Sequence, residues 1–114
     1  MNAPSDQQVE TPLVLRSDAD GVATLTMNRG ERLNPLSTGM LAALQAALDA
    51  VAADPAVRVV VLAGAGRHFC AGHDLREMRA HPDKAWQAAL FEQCGRLMLS
   101  IVGLPQPVIA RVQG

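Results

Sequence analysis

The chain has 114 residues, 49% hydrophobic and 18% charged, enough for one small globular domain and too apolar for a disordered one. A net charge of −1 with no basic block excludes wholesale neutralisation of nucleic-acid phosphates, and no apolar run approaches the ~18 residues that mark a membrane span. Tyrosine is absent and aromatics are 3%, so the core has to be built from Ala, Val, Leu and Met.

Residues 1–11 carry acids, no arginine and no apolar stretch, so they read as a polar, disordered leader and not as a signal or transit peptide. Two short runs follow, "LVLRS" at 13–17 and "GVATLTMN" at 21–28, flanking the turn "DADG". In the second run Ala23, Leu25 and Met27 alternate with Val22, Thr24 and Thr26, the period of two that predicts a β-hairpin. "NRGERLNPL" is punctuated by Gly30 and by Asn34-Pro35 and reads as a loop.

Ser37 is a suitable N-cap. Beyond it Met40, Leu41, Leu44, Ala47, Leu48 and Val51 recur at helical spacing until "ADP" stops the helix near Ala53. "VRVVVLAG" at 57–64 is β-branched and apolar on both faces, which predicts a parallel-sheet strand covered on both sides. A short helix is expected to start near Asp74. A longer one is capped by Asp83, buries Trp86, Leu90, Cys94, Leu97, Met98 and Ile101, and ends at Gly103. A last strand begins at Pro107.

The resulting order, β-β-α-β-α-α-β, is an α/β arrangement with a parallel crossover between residues 57 and 112. A parallel sheet needs cover on both faces and this chain offers few helices for it, so residues 12–114 read as the front of a longer domain.

Most of the chemistry-bearing residues lie in "RHFCAGHDLREM" at 67–78. His68, Cys70 and His73 are three metal-ligand types, but their spacing matches no familiar zinc pattern, and neither CxxC nor HExxH supports them. The two cysteines, Cys70 and Cys94, form no disulfide framework and fit a reduced, cytoplasmic setting. Cys70 sits between Phe69 and Ala71, a buried structural thiol sooner than a nucleophile served by His68 or His73. "GAGRHF" lacks the third glycine of a dinucleotide loop.

What remains is the backbone. "CAGHDL" is a strand–turn–helix junction whose small residues, Ala71 and Gly72, allow close approach to the main chain. Free N–H groups lie at the start of the next helix, and two such donors aimed at one point make an oxyanion hole. An ordinary βα turn in which Asp74 caps that helix accounts for the same residues equally well.

"FCAGHDLREM" resembles the F-x-A-G-x-D-[IL]-x-E-M signature of the crotonase (enoyl-CoA hydratase/isomerase) superfamily. "VATLTMNRGERLNPLS", "VRVVVLAGAGRHFCAG" and "LPQPVIARVQG" are similar to three further motifs of that family, in the family's order. The resemblance implies a crotonase-like spiral of ββα units, incomplete here, assembled in the full-length family as homo-trimers or paired trimers. It implies an acyl-CoA thioester as substrate, hydration or double-bond chemistry on a 2-enoyl-CoA, and no cofactor beyond coenzyme A, which is part of the substrate.

The backbone N–H of His73 matches the first oxyanion donor. Ala71, Gly72, His73, Asp74, Leu75 and Arg76 would lie along the substrate, with Arg76 near the pantetheine or phosphates. Arg32, Leu33 and Asn34 match the loop holding the nucleotide end of CoA. Pro35 stands where the family has alanine, Gly30 where it has proline, and His73 where true hydratases often have alanine. The family's Gly-rich second donor segment and its glutamates would follow Gly114, so the resemblance covers less than half of the family's domain. It implies a fragment inactive alone, with a non-catalytic acyl-CoA-binding or oligomer-interaction module as the alternative.

Overall fold

The computed structural model describes residues 11–114. The leader expected over residues 1–11 therefore lies, apart from Thr11, outside the described residues. Thr11 itself is exposed, and its carbonyl accepts from Arg29 Nη2 at 2.7 Å.

Strands β1 (Val14–Ala19) and β2 (Val22–Met27) pair antiparallel, with Ala19 opposite Val22. The turn is narrower than "DADG": only Asp20 and Gly21 lie between the strands, at φ 53° and 81°. Two successive positive φ angles are the signature of a type I′ hairpin, whose twist matches that of the strands. Arg58 closes over this turn, its N–H donating to Gly21 O at 2.7 Å and its Nη2 to Asp20 O at 3.1 Å.

Helix α1 (Thr38–Ala52) begins where expected, with Ser37 Oγ accepting from Met40 N at 3.0 Å. Its buried residues, Met40, Leu41, Leu44, Leu48 and Val51, are the stripe read from the spacing. Each such side chain contributes about 1.5–3 kcal/mol by leaving water. The stripe packs on Ala23, Leu25 and Met27 of β2.

Strand β4 (Val59–Gly64) joins β2 in parallel, pairing Ala23 with Val60 and Leu25 with Leu62. Strand β6 (Val108–Arg111) joins β4 in parallel, giving the sheet order β1-β2-β4-β6. Buried Gln106 ties the layers, its Nε2 donating to Val51 O at 2.9 Å and to Val57 O at 3.2 Å.

Three expectations need correcting. The loop at 28–36 contains a 3-10 turn (Gly30–Arg32) and a two-residue strand β3 (Pro35–Leu36), paired in parallel with an equally short β5 (Gly72–His73). Two residues carry no periodicity, so neither strand could be read from the pattern. The second face of the sheet is only partly covered, with Leu15 42% and Ile109 55% exposed beside half-buried Val59 and Val61. In α3 (Lys84–Gly103), Leu90 and Leu97 are buried, but Met98 is exposed, because it lies at the edge of the stripe. The cap at Asp83 is as expected, accepting from Trp86 N at 3.0 Å.

Candidate functional site

The segment following β4 has no regular structure of its own, and side chains from elsewhere hold it. Asn34 is the main staple. It is fully buried, and its Nδ2 donates to the carbonyls of Ala65, His68 and Phe69 at 3.0, 3.1 and 3.1 Å. Its Oδ1 accepts from Arg29 N at 2.8 Å. Leu33 and Asn34 take φ 67° and 50°, a left-handed pair that turns the amide inward. Gln113 holds the other side, donating to Gly64 O at 2.7 Å and Gly66 O at 3.1 Å. Gly30 packs flat against this loop, since a Cβ there would stand 2.6 Å from Ala65 O.

The chain then runs alongside the first loop. Ala71 N donates to Leu33 O at 2.9 Å, and Pro35 pairs with Gly72 and Leu36 with His73. Gly72 takes φ 91°, with open space where a Cβ would point, so this position requires glycine for its backbone angle and not for room. Cys70 Sγ accepts from Gly72 N at 3.4 Å, a structural role in keeping with a partly buried thiol. Among the described residues no three His, Cys, Asp or Glu side chains gather as metal ligands, so His68, Cys70 and His73 do not converge.

Asp74 caps α2 (Leu75–Ala80), its Oδ1 accepting from Arg76 N at 3.0 Å and Glu77 N at 3.2 Å. This revises the reading of free amides at the helix start: two of them are taken by the helix's own cap. His73 lies one step earlier, in β5. Its ring meets Phe91 of α3 edge-on, centroids 5.6 Å apart at 75°, and its Nδ1 is buried without a hydrogen-bond partner among the described residues.

Between the two segments lies an open cavity of about 510 Å³. Glu31, Arg32, Leu33 and Pro35 form one wall, and Ala71, His73, Asp74, Leu75 and Arg76 the other. Of the residues expected at a site, the cavity thus gathers Arg32, Leu33, Ala71, His73, Asp74, Leu75 and Arg76. Gly72 shapes the second wall from within β5. Asn34 has no surface left to offer a ligand and serves as scaffold. Glu31 and Pro35 were missed, although their position beside Arg32 and Asn34 was the available signal. Arg32 and Arg76, exposed residues of opposite walls, place one guanidinium on each side of the cavity, beside the carboxylates of Glu31 and Asp74.

The family described as Enoyl-CoA hydratase/isomerase matches residues 17–114. The Xenopus laevis protein "Enoyl-CoA hydratase domain-containing protein 3, mitochondrial" is 34% identical over the whole chain, which covers 38% of that relative. The 1,2-epoxyphenylacetyl-CoA isomerase of Escherichia coli K12 is 40% identical over 82% of the chain, which corresponds to 37% of the isomerase. Among solved structures, an enoyl-CoA hydratase from Mycobacterium smegmatis superposes with a TM-score of 0.86 at 53% identity. That match covers 90% of this chain and 40% of the hydratase. The chain therefore spans about two fifths of the length of the relatives it matches.

Proposed function

We propose, since this chain belongs to the enoyl-CoA hydratase/isomerase family, that its cavity is part of a site for an acyl-CoA thioester. The observation that carries this is the pairing of β3 with β5, which sets the loop around Arg32 opposite residues 71–76 across one cavity. On this reading the thioester carbonyl accepts a hydrogen bond from the backbone N–H of His73, which stabilises an enolate-like oxyanion as charge develops. Leu33 and Leu75, 43% and 66% exposed, supply apolar contact along the pantetheine. Arg32 and Arg76 meet the phosphates, as guanidinium groups suit them. Coenzyme A enters as part of the substrate, and no further cofactor is proposed. The parent reaction is hydration of a 2-enoyl-CoA or migration of its double bond, in a trimer or paired trimer. Both cysteines are free, which supports a reduced compartment such as the cytoplasm. No helix among the described residues is long and apolar enough to cross a membrane.

Calorimetric titration with butanoyl-CoA tests the reading. Saturable binding below millimolar ligand is expected, weakened about three- to tenfold by Arg32→Ala or Arg76→Ala as charge-assisted contacts are lost. No heat at millimolar ligand would overturn it.

One observation favours binding without turnover by these 114 residues alone. Among the described residues the two carboxylates on the cavity walls are Glu31, on an exposed residue, and Asp74, whose Oδ1 is engaged as a helix cap. Neither is poised as an acid/base group, and such a group contributes about 10²- to 10⁴-fold. Hydration of crotonyl-CoA by the chain at the rate of a full-length relative would exclude this second reading.

A further inference from the structure

Helix α2 brings Leu75 and Arg76 to the second cavity wall, yet little in it fixes its own direction. It has six residues, none of them buried, and isolated helices shorter than about 12–15 residues barely form in water. The Asp74 cap lies inside the same segment and so orients nothing outside it. Met78 packs partly on the core, and His81, just past the helix, stacks on Trp86 with centroids 4.3 Å apart. Among the described residues the hydrogen bonds from α2 to another element are those of Glu77. Thr38 N donates to one of its carboxylate oxygens at 2.9 Å and Thr38 Oγ1 to the other at 2.8 Å. A carboxylate held at both oxygens cannot slide or turn without losing a charge-assisted bond. Thr38 follows closely on Leu36 of β3. The two walls are thus tied on either side of residues 74–76: by Pro35–Gly72 and Leu36–His73 before them, and by Thr38–Glu77 after them.

We infer that Glu77 is a positioning residue. Through Thr38 it holds Leu75 and Arg76 at a set distance from Arg32 and Leu33 on the opposite wall. Glu77 does not line the cavity, so it acts through its neighbours in the chain and not on the ligand. This inference rests on the thioester reading, in which Arg32 and Arg76 reach the phosphates from opposite sides. Two groups that grip one ligand bind it best when their spacing is fixed beforehand, since otherwise part of the binding free energy goes into ordering them. The β3–β5 pairing already secures His73, so Glu77 governs the phosphate side of the site and not the thioester side.

The test is a double-mutant cycle of Glu77→Ala with Arg76→Ala, read as butanoyl-CoA affinity by calorimetry. Glu77→Ala is expected to weaken binding about threefold or more in the parent chain and to change it little in Arg76→Ala, where the group it positions is already gone. Glu77→Gln, whose amide oxygen still accepts from Thr38, keeps most of the affinity and gives a smaller coupling of the same sign. A second readout needs no ligand. In native-state hydrogen exchange of Glu77→Ala, the Met78 amide, bonded to Asp74 O within α2, exchanges about tenfold faster, while the Ala71 amide, bonded to Leu33 O, keeps its rate. Equal losses of affinity in the two backgrounds, or an unchanged Met78 amide, overturn the inference and leave the thioester reading standing. Failure of butanoyl-CoA to bind the parent chain overturns both. Far-UV circular dichroism matching the parent's shows that each variant titrated is folded.

Discussion

Glu77 is bound to Thr38 through both of its carboxylate oxygens: Thr38 N donates to Oε1 at 2.9 Å and Thr38 Oγ1 to Oε2 at 2.8 Å. The acid sits on α2, one turn beyond the candidate site, and its partner is the first residue of α1. A carboxylate thus meets the positive end of a helix that has no acid in its own first turn. Gln93 of α3 donates to Thr38 O at 3.1 Å, so three helices meet at this residue.

Replacing Glu77 by alanine removes two charge-assisted hydrogen bonds and leaves Thr38 N–H without that partner. The expected loss is about 2 kcal/mol in urea unfolding, with Glu77→Gln losing about half as much because the amide oxygen still accepts. Equal losses for the two variants would show that the charge, and not the hydrogen bonds, dominates.

Asn34→Ala strips three carbonyls and the Arg29 amide of one shared partner and places alanine at φ 50°. A loss of about 3 kcal/mol is expected. Asn34→Asp is expected to be worse, because an acceptor oxygen would face three carbonyl oxygens. Urea midpoints of the two variants give the comparison.

Gly30 and Gly72 separate two reasons for glycine. Gly30→Ala drives a Cβ to 2.6 Å from Ala65 O, a backbone atom held by Asn34, so the loop must move. Gly72→Ala meets open space but is strained at φ 91°, by about 1–2 kcal/mol. The first is expected to lower stability more. The second is expected to weaken butanoyl-CoA binding beyond its effect on stability, by turning the Gly72–His73 peptide. Paired unfolding curves and titrations distinguish the two.

Arg16 binds Asp18 and Asp54 at 2.8 and 2.7 Å on the solvent side. The Arg16 hydrogen bond holds the Asp18 carboxyl below its usual pKa. The Ala56 amide, and then Arg16, does the same for Asp54. A depressed carboxylate stabilises the fold above its unfolded pKa of about 3.9, and that stability is lost as pH falls through the lower folded value. Thermal midpoints of the parent chain and Arg16→Gln should therefore differ at pH 7 and draw together below about pH 4. The gap should also shrink in high salt, as exposed pairs are screened.

Where structure followed from neighbours in sequence, the sequence was legible. The hairpin was visible in the alternation of 22–27, and the three helix starts in Ser37, Asp74 and Asp83, each of which caps as its side chain suggests. Long-range polar ties were not legible. Nothing in "NRGERLNPL" announces that Asn34 points inward to residues 65–69, because the decisive partners lie more than thirty positions away. The same holds for Glu77 with Thr38 and for Gln113 with Gly64. Met98 was misplaced because a helical stripe read from spacing has no sharp edge, and only the packing of Leu90 and Leu97 defines where cover ends. The segments forming the cavity were identified through their resemblance to a family. Their meeting depends on a pairing too short to leave a pattern.

That pairing also governs timing. Pro35 and Gly72 are thirty-seven positions apart, whereas the hairpin turn joins neighbours. A hairpin closes in about 1–10 μs, whereas the cavity walls are expected to meet later, because α1 and β4 lie between them in the chain and closing that longer loop is repaid once both have docked. The cavity is therefore expected to form late in folding and to open early in fluctuation. In pulse-labelled hydrogen exchange, the β2 amides should gain protection before the amide of Ala71. In the native state Ala71 should exchange at a lower opening free energy than Leu25.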